Sequence, residues 1–376
     1  LINNSDKFDN IPSLHDFKEQ GIGAVFDLPM AYLEYFFDIN DARNYYLLRH
    51  FFNFIFFFTS VFFFFLILKK RYDSNSIGIL GAFFLISSPR IFADSFYNNK
   101  DIIFLSLFVI CLYFSLIFLE KPNIKNTVLF SLTSALCIDI RILGIILPSI
   151  ILFFYFLKNL NLTYNKIYFL RPVFIFFILT PLFIILFWPY LWENPFDNFI
   201  SIFKSLSSFD EYVYNFYFGE YVLAQNIPWH YSLVWMFFTI PMFYIFLFII
   251  GFLSISKEFY KNLLRIENNA KNNFFKNNKE MLDLVFFSIF LIPLTIVIIL
   301  NSTLYDGWRH LYFLYPGFLL ISMSGLYKIM TYFMKNNLNI FLVICILFTT
   351  PTIFWMIKNH PYQYVYFNSL AGNKFN

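Results

Sequence analysis

The chain has 376 residues, of which 59% are hydrophobic, 24% aromatic and only 13% charged, whereas a soluble domain carries about a quarter charged residues. A soluble core of this length cannot bury such a surplus, so composition excludes a water-soluble globular protein. It implies an all-α integral membrane protein of about ten transmembrane helices. The formal charge of +4 is distributed among loops and forms no basic patch, which excludes nucleic acid as a partner.

The first 49 residues are mixed in character, begin with Leu1 and show no signal peptide. They are expected to form an extracytoplasmic segment of a fragment whose first membrane span is missing. Hydrophobic runs long enough to cross a bilayer follow at 50–68, 76–92, 101–119, 126–140, 142–157, 172–190, 231–255, 283–300, 311–330 and 338–357. Asp139 and Arg141 interrupt the pair spanning 126–157, which suggests a bent or re-entrant element. A first helix group over 50–255, with an outer loop at 188–230, is thus separated from the last helices at 283–357. Between them, 256–282 is a Lys- and Asn-rich cytoplasmic linker without hydrophobic period. Residues 358–376 read as the start of a truncated extracytoplasmic tail. Cys111, Cys137 and Cys345 each lie in an apolar run and read as small buried hydrophobes.

Basic residues set the orientation. Lys69, Lys70 and Arg71, then Lys121 and Lys125, Lys158, Lys166 and Arg171, the lysines of the linker, and Lys328 and Lys335 all fall on one side, which is therefore expected to face the cytoplasm. The polar clusters that break the hydrophobic pattern then share the opposite, outer face. They comprise Ser88-Pro89-Arg90 through Lys100-Asp101, Trp188 through Pro195, Tyr305-Asp306-Gly307-Trp308-Arg309-His310, and His360-Pro361-Tyr362-Gln363-Tyr364. This one-sidedness is what a site at the outer membrane interface would produce.

Each cluster has a plain structural reading beside a chemical one. Arg90, Lys100 and Arg309 suit a lipid-linked phosphate or pyrophosphate through fork and point-charge contacts, or they snorkel to headgroups. Tyr305 and Trp308 can stack on a sugar ring or sit in the interfacial aromatic belt. Asp306 and His310 can take part in proton transfer, or they belong to an ion pair and a hydrogen bond. Asp139 and Arg141, two positions apart, leave opposite faces of a straight helix, so each needs another partner in the bundle. The Trp188–Pro195 cluster ends a helix, because proline breaks it and the rings anchor it.

At these residues the sequence resembles a bacterial branch of the GT-C glycosyltransferases, near the family 39 group of dolichyl-phosphate-mannose protein mannosyltransferases and aminoarabinose transferases. The carriers are Ser88-Pro89-Arg90 with Lys100-Asp101, Asp139-Ile140-Arg141, Tyr305 through His310, and His360 through Asn368; the match runs from about Gly21 to the end. The resemblance implies a multi-spanning, metal-optional enzyme of the plasma membrane. It would move a sugar from a polyprenyl-phosphate donor, at the outer face and with inversion, to the hydroxyl of an acceptor glycan, lipid or protein. It further implies that Arg90, Lys100 and Arg309 hold the phosphate, that Asp101 positions or assists, and that His310 hydrogen-bonds donor or acceptor. The family's usual base lies after the first span and is expected to be missing here; Asp6, Asp9 and Asp16 are poor substitutes, and the chain alone is expected to be inactive. No metal ligands are assigned. Two rival readings are a transporter or flippase for a lipid-linked or amphipathic anion, and a structural membrane subunit.

Overall fold

A computed structural model describes residues 23–160, 166–205, 212–269, 274–333 and 337–374. Asp6, Asp9, Asp16 and Lys335 lie outside the described residues. A short helix α1 (Asp27–Phe36) precedes the long α2 (Ala42–Tyr72), which Asp41 caps by accepting from the Asn44 amide at 2.9 Å. At its other end Lys69, Lys70 and Arg71 complement the helix dipole, and Asp73 in the left-handed conformation stops it. Arg49 of α2 ties α1 down by contacting Asp27 and Glu34, both at 2.7 Å.

Helices α3 (Asn75–Ile86) and α4 (Pro89–Tyr97) form a consecutive pair bent by 70°. Pro89 brings no amide hydrogen, so the helix must break before it. At the break the Ser88 hydroxyl bonds the Phe84 oxygen at 2.7 Å, and the Ser87 hydroxyl adds a 2.5 Å bond to the Phe83 oxygen, which also accepts the Ser87 amide at 2.9 Å. The same hydroxyls meet Tyr244 at 2.8 Å and Tyr315 at 2.5 Å, which locks the bend against two distant helices.

Helices α5 (Asp101–Glu120), α6 (Ile124–Ile140), α7 (Ile146–Asn159) and α8 (Lys166–Phe187) complete the first group. The 126–157 stretch is indeed bent. Helix α6 stops at Arg141, whose backbone is extended, and a 3-10 turn over Ile142–Ile145 leads into α7. Helix α8 ends just before Trp188, as the proline and aromatic cluster suggested. The connecting segment after it is more structured than a plain loop. It holds α9 (Pro195–Ser205) and a hairpin of β1 (Tyr214–Tyr217) and β2 (Glu220–Leu223), closed by Phe218 and Gly219 at positive φ.

The remaining helices are α10 (Tyr231–Thr239), α11 (Met242–Asn269), α12 (Asn278–Ile299), α13 (Tyr315–Phe333) and α14 (Leu338–Lys358). Helix α11 extends through much of the stretch read as a linker. Among the described residues, eight helices are individually long and apolar enough to cross a bilayer, and the count reaches nine if the bent pair is one span. Helix α6, with 17 residues, occupies the hydrophobic run at 126–140. All three cysteines are buried and unpaired.

Helices α11 and α13 approach so closely that backbone meets backbone. A Cβ on Gly251 would lie 2.0 Å from the Ile321 oxygen, and one on Gly325 would lie 2.1 Å from the Leu247 oxygen. Small residues permit such crossings where lipid supplies no hydrophobic drive between helices. Replacing Gly251 or Gly325 by Leu is expected to lower stability by about 3 kcal/mol through forced separation. In detergent melting curves these variants should unfold well below the parent, whereas the lipid-facing Leu253→Ile should not.

Candidate functional site

Four stretches read separately in the sequence meet at one end of the bundle: the bend at α4, the start of α5, the break after α6, and the turn before α13. Asp101 opens α5 and is 5% exposed at its side chain. Its carboxylate is paired with Arg141 and also accepts from the Asn98 side-chain amide at 3.0 Å, while Asn98 in return accepts from the Asp101 amide at 2.9 Å. The expectation that Arg141 requires a partner other than Asp139 is met by this pair. Asp139 is fully buried, and its carboxylate lies against the backbone of Gly23 to Val25 with no hydrogen bond of normal geometry to either oxygen. Gly23 donates its amide to the Asp139 carbonyl at 2.7 Å. A Cβ there would sit 1.5 Å from Asp139 Oδ1, so only glycine fits.

Arg90 projects from α4 into an aromatic clamp. Its guanidinium carbon is 5.2 Å from the Trp235 ring centroid and 5.5 Å from that of Phe367, a geometry in which ring quadrupoles offset part of the desolvation of a cation. One turn further on, Asp94 is buried and accepts from the Tyr312 hydroxyl at 2.6 Å. Asn53 of α2 donates to the Asp94 and Ser95 carbonyls at 3.3 and 2.9 Å, which anchors α4. Lys100, half-buried, stands at the N-cap of α5 beside Asp101.

The Tyr305–His310 turn is held from below. Asn215 of β1 donates to the Leu304 carbonyl at 2.9 Å, and its side-chain oxygen accepts from the Asp306 amide at 3.1 Å and the Tyr231 hydroxyl at 3.0 Å. The Gly307 amide donates to the Tyr231 oxygen at 3.1 Å. Asp306 and Gly307 both adopt positive φ, and Gly307 faces the Arg90 guanidinium, 3.5 Å from where a Cβ would stand. Arg309 pairs with Asp306 at 3.1 Å and lies over the Tyr305 ring at 5.0 Å. His310 packs edge-on against Tyr305 at 4.4 Å and is within electrostatic reach of Asp101, Arg141 and Arg309. Beside the turn, Tyr217 and His230 Nδ1 share a 2.9 Å hydrogen bond, and burial pushes the Tyr217 phenol up from its ordinary pKa.

Trp308, expected to stack on a sugar, is instead packed into the core. It is 1% exposed, donates to Thr239 at 2.8 Å, and meets Tyr312 edge-on at 4.8 Å. Tyr305 keeps a half-buried position beside Arg309. The His360–Asn368 motif performs a structural task. Asn368 donates to the Phe237 and Ile240 carbonyls at 2.7 and 2.8 Å, and Gln363 bridges the Met356 carbonyl and His360. These bonds seat Phe367 on Arg90. Sequence reasoning passed over Tyr312 and Trp235, and held Asp94 and Phe367 within its clusters without giving either a role. Only Asp94, one helical turn from Arg90, carried a readable signal.

The arrangement has one chemical peculiarity. Arg90, Arg141 and Arg309 each keep a buried Nε without a hydrogen-bond partner. Buried donors are normally satisfied, so these three Nε hydrogens around one cluster lack acceptor oxygens, although Arg141 and Arg309 also meet Asp101 and Asp306 through their terminal nitrogens. Among the described residues no three His, Cys, Asp or Glu side chains converge as a metal centre requires.

Residues 46–188 match the family model for dolichyl-phosphate-mannose-protein mannosyltransferase. The chain also resembles the crystal structure of ArnT from Cupriavidus metallidurans bound to undecaprenyl phosphate. The TM-score is 0.51 at 13% identity, over 82% of this chain and 50% of that one. The chain thus spans half the length of that protein. No curated protein sequence matches it. The resemblance to GT-C glycosyltransferases read from the sequence is borne out as a resemblance: residues 46–188 carry the sequence pattern of the mannosyltransferase model, and the described bundle is similar in fold to the ArnT structure.

Breaking a buried pair leaves one uncompensated charge and costs about 3 kcal/mol or more. Arg141→Ala is therefore expected to destabilise the protein by that order, and the double variant Asp101→Asn/Arg141→Leu to recover much of the loss, as measured by unfolding in detergent.

Proposed function

We propose that the chain is the membrane part of a glycosyltransferase that moves a sugar from a polyprenyl phosphate to an acceptor hydroxyl, with inversion, at the outer face of the membrane. The observation that carries this reading is the set of three buried Nε donors, on Arg90, Arg141 and Arg309, that have no acceptor. A phosphate brings several acceptor oxygens and negative charge to such donors, and arginine matches it in plane and geometry. The family match over 46–188 and the likeness to a protein bound to undecaprenyl phosphate support the same reading.

In this reading Arg90 and Arg309 hold the donor phosphate, with Lys100 as a point charge at its edge. Asp101, engaged by Arg141 and Asn98, positions Arg141 and does not accept a proton; Asp94 is similarly occupied by Tyr312. Asp306 has a side chain 63% exposed at the mouth and is the carboxylate placed to meet an acceptor. Donor binding draws Arg309 onto the phosphate and releases Asp306 from its ion pair. Asp306 then takes the acceptor proton while the acceptor oxygen bonds to the anomeric carbon. The bond from that carbon to the phosphate oxygen breaks, its electron pair leaves with the phosphate, and the arginines stabilise the charge that develops there. His310 hydrogen-bonds donor or acceptor beside Tyr305.

Binding is measurable without turnover. The chain in detergent is expected to retain undecaprenyl phosphate and to bind undecaprenol at least about tenfold more weakly, a difference of ~1.4 kcal/mol or more. Arg90→Ala and Arg90→Lys should both abolish the preference, since lysine keeps the charge and loses the planar stack. Equal affinity for alcohol and phosphate would remove the proposal. In membranes supplied with a labelled polyprenyl-phosphate sugar, Asp306→Asn is expected to lower the transfer rate about a hundredfold with donor affinity retained.

A further inference from the structure

At the far end of the bundle lies a second polar site that sugar transfer does not use. Asn53, near the arginine cluster, and Arg71 are both on α2, 18 positions apart, which puts roughly 27 Å between the two ends. A cavity of about 350 Å³ opens there between α11, α12 and α13 and the end of α2, a volume suited to a small ligand or headgroup. Loop charge assigns this end to the cytoplasmic side.

Its floor is already neutral. Arg71 and Asp283 form a two-pronged pair at 2.7 and 2.5 Å, and Lys279 reaches Asp73 at 2.8 Å. The walls above are divided by charge. Lys328, on α13, is an exposed ammonium that feels Glu258 and Asp283 through space. On α11 opposite, Glu258 has only longer contacts, 3.5 Å to Lys261 and 3.7 Å to Lys276. One turn along, Asn262 is 2% exposed and spends its amide hydrogens on Glu280 and the Phe274 carbonyl, at 3.1 and 3.4 Å. Its side-chain oxygen remains buried with no donor. The cavity therefore offers a cation on one wall and, on the other, a carboxylate next to an amide oxygen that lacks a hydrogen. Exposed Phe259, Leu263 and Leu264 continue α11 past the cavity as an apolar flank.

We propose that this cavity binds a zwitterionic amino-phosphate headgroup, with the phosphate on Lys328 and a primary ammonium shared by Glu258 and the Asn262 oxygen. The ammonium must carry hydrogens, because the Asn262 oxygen is satisfied only by a donor. A quaternary amine fills the same volume and leaves that oxygen orphaned, which costs affinity. The apolar flank places acyl chains beside the headgroup, as a lipid of the cytoplasmic leaflet would require. This site stands independently of the sugar-transfer reading.

The test titrates the full chain in detergent with dihexanoyl phosphatidylethanolamine, phosphatidylcholine and phosphatidylglycerol, and with free phosphoethanolamine, by calorimetry. Phosphatidylethanolamine is expected to bind at least about tenfold more tightly than the choline and glycerol lipids. Glu258→Gln should bring it down to the choline level, Asn262→Leu should do the same, and Lys328→Ala should weaken every phosphate ligand. Free phosphoethanolamine binding as tightly as the lipid upholds the headgroup site and makes its ligand water-soluble; weaker binding makes it the lipid. Equal affinity for ethanolamine and choline lipids, tighter binding of phosphatidylglycerol, or a preference unchanged in Glu258→Gln overturns the proposal. The Glu258→Gln comparison needs no change to the buried Asn262, so a folding defect there leaves the test intact.

Discussion

A charge placed inside a bilayer must find a partner, and the ion pair of Asp101 with Arg141 shows how far this constraint shapes the molecule. Neither residue can stay where it is without the other. To meet Asp101, the chain leaves the helical conformation at Arg141 and adopts an extended one, so α6 ends there and resumes as a 3-10 turn and α7. The pair thereby fixes the start of α5 against the end of α6. His310 is set within the field of both members, and the turn before α13 is brought into the same neighbourhood.

The other arginine of the cluster solves the same problem differently. Arg90 follows a proline at a 70° break between α3 and α4, and the hydroxyls of two serines bond the last carbonyls of α3 there. Its guanidinium is then held by ring faces from Trp235 and Phe367, which screen it from lipid without consuming its hydrogen-bond donors. A carboxylate partner would stabilise the cation equally well and would leave less of it for an anion to bind. Aromatic shielding covers the group and leaves its Nε hydrogen without an acceptor.

Much of this was legible in the sequence. Composition and hydrophobic run length located the long membrane helices, because a hydrocarbon slab of about 30 Å imposes a length that few other constraints do, whereas the runs at 76–92 and 231–255 each divide into two helices. Charges two positions apart told that Asp139 and Arg141 face different neighbours, which is geometry internal to one helix. The identity of those neighbours was not legible: that Arg141 meets Asp101 depends on how α5 and α6 pack. Trp308 was misread for a similar reason. Loop position and aromaticity suit a sugar platform and a buried anchor equally, and only the approach of Thr239 decides between them. The hairpin over 214–223 escaped because its alternation is four residues long and lies inside an aromatic-rich segment. The role of the His360–Asn368 motif was hidden too, since amide side chains that cap distant carbonyls leave no periodic trace.

The clamp around Arg90 joins side chains from the early, middle and late parts of the chain: Arg90, Trp235 and Phe367. A polypeptide that enters the membrane from its front end therefore carries Arg90 through the making of several further helices before both rings are in place. During that interval the cation must be sheltered by water at the interface or by the insertion machinery. The clamp closes only when α14 has docked and Asn368 has fastened the segment after it to α10. Assembly order itself thus leaves the Arg90 guanidinium uncovered until helices far apart in sequence have met.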